Sequence, residues 1–224
     1  MQNNIKRKPM VWIETGFDII YLGIVLISGI LLIQSAIGSE RWLFGLMALI
    51  LGAGDAVHLL PRIHAMWDSE AKPHVSALGI GKLAASVTMT VFYVILWHIG
   101  IVRYPGIIPG YITAVIYGLA VIRIVLCLFP QNGWTIESPS LKWAIWRNIP
   151  FFLLGMSVMV LFAKNSFTYG NGLPFLWIAI LISFACYFPV VLLSGKSRKV
   201  GMLMLPKSCA YAAIVLMGFS LAVS

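Results

Sequence analysis

Charge is what this sequence has least of. Only 10% of its 224 residues are Asp, Glu, Lys or Arg, where a water-soluble domain carries about 25%. The shortage is uneven, since 7 acidic side chains stand against 16 Lys and Arg. Cysteine is also scarce. The three present, Cys127, Cys186 and Cys209, are odd in number and show no CxxC spacing, so they read as small apolar core groups rather than a disulfide framework. No repeat or low-complexity tract is present. These absences exclude a soluble enzyme, a disordered chain and a disulfide-stapled secreted module.

What the chain has instead is apolar length. Hydrophobic residues make up 60% and mean hydropathy is +0.94. A helix needs about 20 apolar residues to cross a ~30 Å hydrocarbon core at 1.5 Å per residue. Seven runs qualify, at about 16–37, 42–61, 78–102, 108–129, 149–164, 174–194 and 202–223. The predicted fold is therefore all-α, a single transmembrane domain over 1–224 built as a seven-helix bundle. Transmembrane strands would be about ten residues long and alternate in polarity, which these runs do not. The first run is too long for a signal-peptide core. Breakers fall at or between the proposed ends: Pro61, Pro73, Pro105, Pro109, Pro130, Pro139 and Pro174, with Gly106, Gly133, Gly170 and Gly172. Pro150 is expected in the first turn of the fifth span.

Lys and Arg sort by side. Lys6, Arg7, Lys8, Arg62, Lys72, Lys142, Arg147, Lys196, Arg198 and Lys199 fall on one side, and only Arg41, Arg103 and Lys164 on the other. The positive-inside rule then places the N-terminus in the cytoplasm and the C-terminus outside, in what we expect to be a prokaryotic plasma membrane. The net charge of +9 is thus mostly a topology signal and carries no nucleic-acid partner. Tryptophan agrees, because its amphipathic ring prefers the headgroup level. Trp12, Trp67, Trp134, Trp143 and Trp146 fall at the basic side and Trp42, Trp97 and Trp177 at the other, where all are expected as interface anchors. This orientation is opposite to that of G-protein-coupled receptors and microbial rhodopsins.

Ionisable groups within spans cost about 2.5–3.5 kcal/mol each on insertion scales and mark function by default. Asp18, Asp55, His58, Lys82, Arg123 and Lys207 gather at one level near the basic side. Along the second span, His58 lies about 60° and Arg62 about 20° from Asp55 around the helix, so the three share a face. We expect Asp55 to be paired with Arg123 or Lys82, or to share a proton with Asp18. Asp18 and Glu14 are alternatively first-turn carboxylates facing the helix dipole, and Lys82 and Lys207 can snorkel to the headgroups. Gly52, Gly54, Ala114 and Gly118 are expected to admit close helix approach.

Three chemical readings follow. The favoured one is a cytoplasm-facing pocket of Asp55, His58, Arg62, Lys82, Arg123 and Lys207 that binds or translocates a small anionic or proton-coupled solute or a lipid headgroup. Ser86 and Thr90 sit on one stripe with Lys82, suiting a wet lining. A second reading starts from Gly52-Ala53-Gly54-Asp55, which resembles the GxGD motif of intramembrane aspartyl proteases, the presenilin-like and prepilin-peptidase-like families. That resemblance spans four residues, lacks a Pro-Ala-Leu signature, and implies Asp55 and Asp18 as a catalytic dyad. Asp55 and His58 could alternatively supply two metal ligands in a seven-span hydrolase of the alkaline ceramidase and adiponectin receptor type. The paired histidines of that type are missing, because 202–223 holds no His. His64, Asp68, Glu70 and His74 could complete such a site only by folding back, so no metal site and no cofactor is assigned. The third reading is a non-catalytic scaffold or sensor whose loops 62–77 and 130–148 meet a partner, with Trp143, Trp146 and Arg147 on a short interfacial stretch.

Overall fold

The computed structural model describes residues 8–36, 38–68, 74–137, 139–169, 173–193 and 198–221. Lys6, Arg7, Glu70, Lys72, Pro73, Gly170, Gly172, Lys196 and the ends of the predicted first, sixth and seventh spans lie outside them. Among the described residues the secondary structure is entirely helical. Seven helical segments are long and apolar enough to cross a membrane: α1 (Lys8–Gln34), α2 (Ser39–Trp67), α3 (Val75–Arg103), α4 (Gly110–Leu128), α5 (Leu141–Tyr169), α6 (Leu176–Leu193) and α7 (Met204–Met217), the last reaching spanning length over Val200–Ser220 together with its flanking 3₁₀ turns. Short 3₁₀ turns at Pro130–Asn132, Arg198–Leu203 and Gly218–Ser220 follow α4, precede α7 and end it.

Each helix packs on its sequence neighbour, α7 returns to α1, and α3 also touches α5. The bundle is a closed ring in up-and-down order. Large apolar side chains cover its outside, among them Ile20, Ile27 and Leu31 on α1 and Val115, Val121 and Ile122 on α4. A surface of that kind belongs against lipid. We call the end where α1, α3, α5 and α7 begin the basic end.

Prolines expected to stop helices do not all do so. Pro61 lies inside α2, which runs on to Trp67, and Pro150 lies inside α5, which starts at Leu141 rather than near Ile149. Pro189 is internal to α6 as well. A proline deprives the carbonyl four residues earlier of its donor, a loss that neighbouring helices in a bundle can compensate. Pro61 frees the carbonyl of Val57, and that oxygen points at Gly81 of α3. One consequence is depth. Asp18 lies ten residues inside α1 and so is not a first-turn carboxylate, and Asp55 lies twelve residues before the end of α2, roughly 18 Å of helix. A second is that Trp143, Trp146 and Arg147 belong to the opening turns of α5 rather than to a separate interfacial stretch.

Helix approach is set by glycine, though not at every expected position. A Cβ on Gly45 would meet the Gly29 carbonyl at 2.8 Å across α1 and α2, and a Cβ on Gly81 would meet the His58 Cα and the Val57 oxygen at 2.7 Å across α2 and α3. Gly52 faces Leu26 and Gly54 faces Thr88, as close contacts of the same kind. Gly118 meets nothing within 4 Å, because it lies on the outer face of α4. Trp97 also departs from expectation. It is buried and donates Nε1–H to Thr113 at 3.4 Å, so it is a core side chain and not an interface anchor. At the far end, Arg103 pairs with Glu40 at 2.8 Å, and Arg41 donates to the Phe219 and Leu221 carbonyls at 3.2 and 2.9 Å. These tie α2 to α3 and to the end of α7.

Overpacking a close helix contact costs about 1–3 kcal/mol. Gly81→Leu should therefore lower the unfolding temperature of the detergent-solubilised protein by several degrees, while Gly118→Leu leaves it unchanged. Equal melting curves for the two variants, followed by intrinsic fluorescence, would contradict this assignment of the contact.

Candidate functional site

A half-open cavity of about 1180 Å³ occupies the basic end of the bundle. Asp18, Asp55, His58, Arg62, Lys82, Arg123 and Lys207 all line it, so the six residues of the ionisable level and Arg62 face one space. The structure adds Arg147 and Phe151 from α5 and Tyr187 from α6, which brings all seven helices to the wall. It also adds Trp134, Ile136 and Glu137 from the α4–α5 connection. That segment folds inward against α3, with the Trp134 carbonyl packed on Gly79. Much of the loop expected to meet a partner is thus part of the cavity wall.

Arg123 is the most deeply set charge, at 1% exposure. Its Nε donates to Thr90 at 2.9 Å, and its Nη1 donates to the Arg147 carbonyl at 2.7 Å and to Asn148 Oδ1 at 3.1 Å. The guanidinium carbon stands 3.8 Å from the centre of the Phe151 ring. No carboxylate touches it among the described residues. The expected Asp55–Arg123 pair is therefore not formed: α3 and α5 satisfy Arg123 of α4 with neutral acceptors and an aromatic face. Arg147 is held similarly, donating to Asn132 Oδ1 at 2.8 Å and lying 4.2 Å over the Trp134 ring. Asn132 in turn donates to the Leu126, Cys127 and Phe129 carbonyls at 2.6–3.3 Å, capping the end of α4. Tyr187 donates to Asn148 Oδ1 at 2.9 Å and joins α6 to the group.

Asp55 has a different partner from any expected. Tyr21 Oη donates to its Oδ2 at 2.5 Å, joining α1 to α2. Lys207, the cation that acts on Asp55 through its charge, sits 5.0 and 5.2 Å from the Tyr211 and Tyr187 ring centres. Tyr21 escaped the sequence reading, although it is one turn from Asp18 and on the same face of α1. Arg62 forms an ion pair with Glu14 at 2.9 Å, which removes its charge from the free balance of the cavity. Asp18 Oδ2 and His58 Nδ1 are buried and have no hydrogen-bond partner among the described residues. Such atoms lose the full hydrogen-bonding free energy unless water or a ligand supplies it.

Hydroxyls on the α3 stripe satisfy their own helix, Ser86 donating to the Lys82 carbonyl at 2.8 Å and Thr90 to the Ser86 carbonyl at 2.9 Å. That leaves the Thr90 oxygen free to accept from Arg123. Lys82 is exposed to the cavity space and forms no ion pair or ring contact among the described residues. Beneath the cavity lies a layer of rings. Tyr93 stands 5.3 Å from Phe151 and 5.6 Å from Phe184, Phe151 stands 5.2 Å from Phe184, and the Tyr93 and Tyr211 hydroxyls meet at 3.5 Å.

Among the described residues, no third His, Cys, Asp or Glu joins Asp55 and His58 at metal-ligand spacing. The metal-hydrolase reading loses its site there. The three cysteines are free thiols. Comparison with known proteins finds no matching family model, no matching curated protein and no matching solved structure.

Hydrogen bonds to a charged group are worth about 1.5–3 kcal/mol each, and stranded acceptors add to the loss. Arg123→Ala should destabilise the protein by more than about 3 kcal/mol, because it releases Thr90, the Arg147 carbonyl and Asn148 together. Denaturant unfolding of the purified protein measures this, and a loss below about 1 kcal/mol would contradict the role given to Arg123.

Proposed function

We propose that the protein is a prokaryotic plasma-membrane protein with its N-terminus in the cytoplasm, whose basic-end cavity opens to the cytoplasm and binds or translocates a small anion. The anion carries oxygens of the phosphate or carboxylate kind, as a free solute or as a lipid headgroup. One observation carries the reading: Lys82, Arg123, Arg147 and Lys207 face the same space, and none forms a salt bridge with a carboxylate among the described residues.

Cations left without an anion at that depth are expensive unless water or a ligand compensates them. The cations come from α3, α4, α5 and α7, and Asp18, Asp55 and His58 come from α1 and α2 around the same space, with Lys207 close enough to Asp55 to act on it through its charge. A bound anion sits among the cations. Asp18 and His58, both with buried unpartnered atoms, are groups that exchange a proton with it or with entering water. The two guanidiniums, whose donors are partly taken by protein acceptors, contribute mainly fixed positive charge, and the two lysines add point charge that tolerates several anion shapes.

The intramembrane aspartyl hydrolase remains a second reading because Asp18 and Asp55 line one cavity. It requires the two carboxylates to hold a water between them. Cleavage of a membrane-embedded reporter peptide that stops in both Asp18→Asn and Asp55→Asn supports it, and cleavage that survives Asp18→Asn sinks it.

The anion reading is tested by equilibrium binding to the detergent-solubilised protein, with inorganic phosphate and dihexanoyl phosphatidylglycerol as probes and dihexanoyl phosphatidylcholine as the zwitterionic control. We expect one of the anionic probes to bind. Lys82→Gln and Lys207→Gln should each weaken it roughly fivefold to tenfold, corresponding to about 1–1.4 kcal/mol. Which probe binds separates the lipid from the free solute. Failure of both, or affinity indifferent to both substitutions, would overturn the reading.

A further inference from the structure

Outside the cavity wall, the corner between α2 and α3 brings together three side chains of a chemistry found nowhere else among the described residues. His64 lies in the last turn of α2, Asp68 caps that helix four residues later, and His74 directly precedes α3. Their ligand atoms all lie within 4.8 Å of one another. His74 Nε2 is 2.8 Å from Asp68 Oδ2, and the two imidazole centres are 5.1 Å apart with the rings edge to face. The i to i+4 spacing puts His64 and Asp68 on one face of α2, and His74, just before α3, lies against that face.

We infer that His64, Asp68 and His74 form a binding site for one borderline divalent transition metal, with Zn²⁺ the ion the donor set suits best. Two imidazoles and a carboxylate match the nitrogen and oxygen preferences of Zn²⁺ and its first-row neighbours. Ca²⁺ and Mg²⁺ want more oxygens. Around a tetrahedral zinc with bonds of about 2.0–2.1 Å, neighbouring ligand atoms stand about 3.3 Å apart, so small side-chain rotations close the observed triangle onto an ion. His64 is exposed, which leaves the fourth position open to water.

The metal sits beside the cavity mouth, not inside it. Arg62, two residues before His64, and Val75, directly after His74, both line the cavity. An ion at this corner pins the end of α2 to the start of α3, the two helices that carry Asp55, His58 and Lys82. The inference is independent of the anion reading, because none of its three ligands faces the cavity.

The alternative is that His74 and Asp68 form an ordinary ion pair with His64 stacked beside it, and the two differ in stoichiometry. The full-length protein, purified through a tag without histidines and stripped with a chelator, is titrated with Zn²⁺ against a chromophoric competitor. One Zn²⁺ per chain is expected, with His64→Gln and His74→Gln each weakening it at least tenfold. Because His64 is on the surface, His64→Gln is also expected to keep the apo melting temperature. Zn²⁺ should raise the melting temperature of the wild type but not of the His64→Gln, His74→Gln double variant, and Ca²⁺ and Mg²⁺ should raise neither. The X-ray absorption spectrum should show nitrogen and oxygen neighbours only. No stoichiometric zinc, binding unchanged in the double variant, or a sulfur neighbour in the spectrum would each overturn the inference.

Discussion

A guanidinium buried in an apolar bundle, with no carboxylate to meet it among the described residues, is the constraint around which this structure is arranged. The charge of Arg123 must be met in place. Thr90, the Arg147 carbonyl, Asn148 and the Phe151 ring do this from α3 and α5. Each has other commitments. Asn148 also accepts from Tyr187 of α6, and Arg147 reaches Asn132, which closes the end of α4. Satisfying one cation therefore fixes the relative placement of four helices. The groups that do so are neutral, so the positive charge of Arg123 is oriented but not cancelled.

That residual charge links packing to function. Had Asp55 paired with Arg123, the basic end would hold a neutral bridge. Instead Tyr21 takes Asp55, Glu14 takes Arg62, and Lys82, Arg123, Arg147 and Lys207 share a cavity without a salt bridge among the described residues. Ring faces help to make this tolerable. Arg123 lies on Phe151, Arg147 on Trp134, and Lys207 beside Tyr187 and Tyr211, and each such contact supplies about 0.5–2 kcal/mol of attraction without adding negative charge. The corner that holds His64, Asp68 and His74 borders the same mouth from α2 and α3, so the two proposed sites share helices but not residues.

Much of this was legible in the sequence, and the failures have physical reasons. Seven apolar runs became seven helices because hydrocarbon thickness leaves few alternatives to a helix of that length. The ionisable level was legible because charge is so scarce that each intramembrane group stands out. Pairing was not legible. Tyr21 and Asn148 look like ordinary span residues until a neighbouring helix supplies their partner, and Trp97 differs from Trp42 only in the side of the helix it occupies. Proline misled at Pro61 and Pro150 because the punctuation rules come from chains in water, whereas packed neighbours here accommodate the freed carbonyls. Gly118 misled for a simpler reason: a small residue permits close approach without causing it. His64 and His74 are ten residues apart, on the end of α2 and at the start of α3, and only the packing of those two helices brings them together.

The central claim is that the basic end holds a wet cavity of positive potential that opens to the cytoplasm. It is tested most directly by the charge preference of thiol modification at Ser86→Cys, which places a reactive group on the cavity wall, in a background where Cys127, Cys186 and Cys209 are replaced. Reaction rates with an anionic and a cationic methanethiosulfonate reagent of similar size are compared in membrane vesicles of known sidedness. The account predicts reaction from the cytoplasmic face, with the anionic reagent favoured roughly tenfold or more over its ratio at a free thiol, and that preference falling as salt is added. No reaction from that face, or a preference for the cationic reagent, would contradict it.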